Sequence, residues 1–79
     1  MSLFDFISTE QKMSLLSSAL ESLAIELTSI LIRVGIDPDT FDIYTYSPDD
    51  NRNLGETSIR IAQICDGIKL SETKLAEMA

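Results

Sequence analysis

A seam of apolar residues in the first half of the chain most constrains its fold. Met13, Leu16, Leu20, Leu23, Leu27, Ile30 and Val34 recur at alternating steps of three and four. On a helix, that spacing puts all seven on one stripe, the pattern of coiled-coil a and d positions. Such a stripe has to be covered by something.

The chain is poorly equipped to cover it alone. Its 79 residues make one small domain. A chain of this size buries only about 60 to 65 per cent of its unfolded surface. The usual supports are disulfides, a metal or oligomerisation. A single cysteine, Cys65, excludes an intrachain disulfide. With no histidine and one cysteine, a structural zinc site is excluded as well. Oligomerisation remains. The expectation is a homo-oligomer, a dimer or higher, whose interface is Leu16, Leu20, Leu23, Leu27, Ile30, Leu31 and Val34.

The seam belongs to a helix with clear ends. Ser8 and Gln11 have the spacing of a capping box, and Glu10 adds negative charge to the first turn. Gly35 is the natural stop, with Pro38 beyond it. The first helix is therefore expected over about Thr9 to Val34. Its second half adds Ile25, Leu31 and Ile32 to the seam, so apolar side chains surround most of its circumference. Such a helix is usually buried on several sides, which places this half at the centre of the assembly.

The connection from Asp37 to Asp50 carries five aspartates and no base. Within it, Phe41 to Tyr46 is rich in β-formers. A lone strand has nothing in this chain to pair with, so the expectation is an extended segment packed on the helices through Phe41, Ile43 and Tyr44. Ser47-Pro48-Asp49-Asp50 reads as a cap and one helical turn.

A second helix is expected from a capping box at Asn53 and Glu56, with an ion pair from Glu56 to Arg60. Ile61, Ile64, Cys65 and Ile68 form its apolar face. Gly67 costs about 1 kcal/mol relative to alanine inside a helix. A break or kink is expected there, followed by a final helix from about Ser71. Ser71 is either a seam residue or the cap of that helix. The fold class predicted is all-α: a helical hairpin with a long first helix and a broken second helix, assembling into an oligomeric helical bundle.

The same residues narrow the function. A net charge of −7, from thirteen acids against six bases, argues against nucleic acid and anionic membrane as partners. An acidic surface suits a basic protein patch, and also simply keeps a protein soluble. Residues 1–7 lack a basic region and a long apolar run, so no secretory signal is read there, and a lone thiol fits a cytoplasmic protein. Met13 to Ile32 is long enough to span a membrane, but Glu21 and Glu26 argue against it.

Catalysis lacks support. There is no histidine to act as a base, and Cys65 sits among isoleucines on an apolar face. Asp37, Asp39 and Asp42 fail as a calcium loop, because Asp42 and Pro48 stand where such a loop needs glycine and glutamate. No metal or cofactor is expected. A helix-turn-helix over Ile61 to Met78 would present Glu72 and Glu77 to the groove, the wrong charge.

The expected function is that of a noncatalytic accessory or regulatory factor that binds another protein. Its recognition surface is expected at Asp37, Asp39, Asp42, Tyr44 and Tyr46. The alternative is an oligomer that binds a small anionic or nucleotide ligand at subunit junctions through Arg52, Thr57, Ser58 and Arg60, near the start of the second helix. Phe4 and Phe6, with Tyr44 and Tyr46, are the aromatics expected to be partly exposed.

Overall fold

A computed structural model describes residues 3–78, with side chains from Asp5 onward. The expected exposure of Phe4 lies outside the described side chains. After a 3-10 turn at Leu3–Phe6 come two long helices, α1 (Thr9–Val34) and α2 (Glu56–Met78). No strand occurs among the described residues.

The ends of α1 follow from its capping residues. Ser8 is extended, and its Oγ accepts the Gln11 N–H at 3.1 Å. Ser8 N–H in turn donates to Gln11 Oε1 at 2.9 Å. At the other end, Gly35 takes the left-handed conformation with φ 83°. That lets Ile36 N–H donate to Leu31 O at 2.9 Å, satisfying a carbonyl that the helix leaves open.

Two expectations about α2 are corrected. Asn53 is not its N-cap. Asp49–Leu54 forms a 3-10 segment, and Gly55 (φ 61°, ψ −134°) separates it from the helix that begins at Glu56. Nor is the second helix broken: α2 runs through Gly67 to Met78 without interruption. The reason lies across the interface. A Cβ at Gly67 would stand 3.1 Å from Leu23 Cδ1. Glycine at this position lets the two helices approach closely, which offsets its poor helix propensity. Ser71, the expected start of a separate helix, is instead a buried residue inside α2.

The helices are antiparallel: Leu23 meets Gly67, and three residues along α1 Glu26 pairs with Arg60, about two turns earlier in α2. The main core is Leu27, Ile30, Leu31, Ile61, Ile64, Cys65 and Ile68. It runs from the middle of the hairpin, at Ile68, toward the end where the connection sits. Ile36, Phe41, Ile43, Tyr46 and Leu54 pack against this core and form a third wall.

That wall is a run of turns rather than an extended segment. Asp37 Oδ1 accepts the Asp39 N–H at 2.9 Å, and Asp42 Oδ1 accepts the Tyr44 N–H at 2.8 Å. Aspartate favours this because its carboxylate reaches the backbone two residues on. The inward aromatic is Tyr46, whose ring lies 5.4 Å from that of Phe41. Tyr44, expected to pack inward, is exposed.

At the other end of the hairpin helix packs on helix, and the connection reaches it only through the bond from Tyr44 to Glu72. Leu16 and Ser71 are buried there, while Met13, Leu20, Leu75 and Met78 are half-buried. By length and composition alone α1 is able to cross a membrane. In this fold its Leu16–Leu31 side carries buried residues, and Glu26 near its middle is paired with Arg60.

Candidate interaction surfaces

The seam residues lie within the chain's own hairpin. Leu27, Ile30 and Leu31 are core, Leu20 and Leu23 pack against it, Leu16 is buried and Val34 is half-buried. Their spacing marked the inner face of α1. The face that stays uncovered is the opposite one. Ile25 is 61% exposed and Ile32, one heptad later, 65%. A shallow furrow of about 340 Å³ runs beside Ile25, lined by Glu21, Ala24, Thr28 and Ser29. On α2, Ile59 and Leu70 also point outward, eleven residues apart, with exposed Gln63 and Asp66 between them.

The acidic connection forms a second surface. Asp37, Asp39, Asp42, Asp49 and Asp50 are all exposed. Asp37 and Asp42 also hold the turns, so their carboxylates shape the surface as well as charge it. The ring of Tyr44 stands out beside them, and its hydroxyl donates to Glu72 Oε2 at 2.6 Å. That hydrogen bond, with partial desolvation and the negative charges of Glu72 and Asp42, pushes the Tyr44 hydroxyl above the usual phenol range. Tyr46 is different. Its hydroxyl lies 2.8 Å from Ser58 Oγ, and Ser58 Oγ donates to Pro48 O at 3.3 Å. This chain of bonds ties the connection to the first turn of α2.

The four residues of the expected anion site are engaged separately. Arg52 is exposed, 3.9 Å from Asp49. Ser58 is buried and bonded to the connection. Arg60 donates to Glu26 Oε1 through Nη2 at 2.6 Å and Nε at 3.2 Å. It therefore pairs across the hairpin rather than with Glu56, as its spacing had suggested. Thr57 is half-buried.

No protein-family model, curated protein or solved structure matches the chain. Function is therefore argued from these surfaces alone. Cys65 belongs to neither. It is buried in the core, and burial pushes its thiol pKa up, with Lys69 opposing weakly. A protonated, enclosed thiol is a poor nucleophile.

Proposed function

We propose that the protein is a noncatalytic, self-associating acidic factor that binds another protein through the Asp37–Asp50 connection. The observation that carries this reading is a negative surface of fixed shape. Five exposed aspartates sit on turns anchored from beneath by Phe41, Ile43 and Tyr46, with the Tyr44 ring standing among them. A preordered surface loses little entropy on binding. Negative charge attracts a basic partner and speeds encounter, and an aromatic ring supplies contact area.

The test uses Asp37, Asp39 and Asp42 changed together to Asn. Asparagine keeps an oxygen able to accept the turn hydrogen bonds, so charge is removed with little change of shape. Proteins captured on the wild-type chain are identified by mass spectrometry, and the strongest binder is purified. Its affinity is then measured against salt concentration. The triple variant is expected to bind it more weakly and with a shallower salt dependence. Equal affinity and equal salt dependence would remove the connection as the recognition surface.

A further inference from the structure

Resting on the self-association just proposed, we infer that the occupant of the outer face of α1 is a second copy of this chain. The two α1 helices lie antiparallel, with Ile25 of each packed against Ile32 of the other.

The first argument is area. A compact monomer of 8.8 kDa exposes about 4,800 Å². This chain exposes 5526 Å², roughly 700 Å² more than that scaling gives. A standard interface takes about 800 Å² from each partner. The radius of gyration is likewise 14.5 Å, where about 12 Å is usual for this length. The surplus belongs to the whole elongated hairpin, 43 × 24 × 17 Å in extent, and is about what one stable dimer contact removes.

The second argument is location. Between Glu21 and Arg33 the outward face of α1 reads Ser22, Ile25, Thr28, Ser29 and Ile32, without a charged side chain. Glu26 is drawn aside to Arg60. The small serines let a second helix come near, and the two isoleucines supply apolar area. Ile59 and Leu70 on α2 are isolated among polar neighbours and offer no comparable strip.

The third argument sets direction. Each copy carries net charge −7, and five aspartates follow the C-terminal end of α1. A parallel pair places both acidic connections side by side. An antiparallel pair centred between Thr28 and Ser29 sets the two Asp37 residues, where the connections begin, about 25 Å apart along the helices, well beyond a Debye length of about 8 Å. The same pairing brings Arg33 of one copy to the flank that carries Glu26 on the other.

The experiment is analytical ultracentrifugation of the full chain, with circular dichroism as a check on folding. The wild type is expected to sediment at twice the chain mass. Ile25→Glu/Ile32→Glu alters exposed positions only, so helix content is retained while the dimer dissociation constant rises about 100-fold or more. Ser29→Cys, next to the two-fold axis, is expected to give a disulfide-linked dimer on mild oxidation, with buried Cys65 unreactive. A monomeric wild type overturns both this inference and the self-association reading, and its flotation with phosphatidylcholine vesicles would assign the face to lipid. A wild-type oligomer that the double Glu variant leaves intact overturns the assignment of this face alone. A dimer in which Ser29→Cys does not cross-link overturns the antiparallel arrangement.

Discussion

The two ends of the hairpin are held by different means. At the end nearer Gly35, α1 and α2 are joined by a third wall, the acidic connection. There Ile61 is fully buried and Ile64, Cys65 and Leu31 almost so. At the other end the connection reaches α2 only through the exposed Tyr44–Glu72 bond, and Met13, Leu20, Leu75 and Met78 stay half-exposed. Two packed cylinders shield only the line between them, whereas three walls enclose a volume. A segment whose composition suggests a solvated linker is therefore what turns one half of the hairpin into a core.

The sharpest way to break this contrast is to remove matched volume from each end. Ile61→Ala is expected to cost about 3 kcal/mol or more, because nothing nearby is free to fill the cavity. For a chain this small, that is most of its stability. Leu20→Ala, at a half-buried position, is expected to cost about 1 kcal/mol. Urea denaturation followed by circular dichroism reads both. Equal losses would mean that the connection does not enclose the core.

Gly67 sharpens the contrast at its midpoint, where it faces the side chain of Leu23. Gly67→Val forces side-chain volume against Leu23 and is expected to cost about 1 to 3 kcal/mol. Gly67→Ala sets better helix propensity against a 3.1 Å contact with the movable tip of Leu23, and is expected to change stability by under about 1 kcal/mol. In the Leu23→Ala background, both substitutions at Gly67 are expected to become more favourable. A double-mutant cycle without coupling would show that Gly67 is not there for close approach.

The connection's own ties come next. Tyr46→Phe removes one hydroxyl from the bond to buried Ser58, while Ser58 keeps Pro48 O as acceptor. The expected loss is about 1 kcal/mol. Hydrogen exchange should show it as faster exchange in the first turns of α2, with little change near Leu16.

What the sequence made legible follows the same division. Local chemistry was readable: Ser8 with Gln11, and Gly35 with the turn after it, fix the ends of α1 through bonds within a few residues. The apolar faces of both helices were readable from period alone. What covers those faces was not, because coverage depends on contacts between distant parts of the chain. Gly67 looked like a break because its partner, Leu23, lies 44 residues away. Arg60 was assigned to Glu56 by spacing, yet a carboxylate across the hairpin, Glu26, holds it. Tyr44 and Tyr46 stand two apart with similar neighbours, and it is Tyr46 that meets Phe41 and the distant Ser58. The recognition surface rested on charge, which the sequence displays directly. The outer face of α1 was readable as apolar, since Ile25 and Ile32 lie opposite the seam, but not what lies against it.

The smallest expected effect concerns the reach of the connection along α2. The bond from Tyr44 to Glu72 is the farthest point at which this wall touches the helix, and it lies in solvent. The phenol is protonated when it donates, and its pKa in the folded chain is raised. The stabilisation is therefore complete below the ordinary phenol pKa of 10.0 and is lost as pH climbs through the raised folded value. Cys65 also loses its proton in alkali, so stability in alkali alone does not isolate this contact. The difference between wild type and Tyr44→Phe does. That difference is expected to be small and positive at neutral pH and to shrink toward zero above pH 10. Glu72→Gln, which keeps an acceptor oxygen but no charge, should retain part of it. A difference that stays constant with pH would mean the two proteins differ by the ring's packing rather than by this bond. The wall would then end at Ile43.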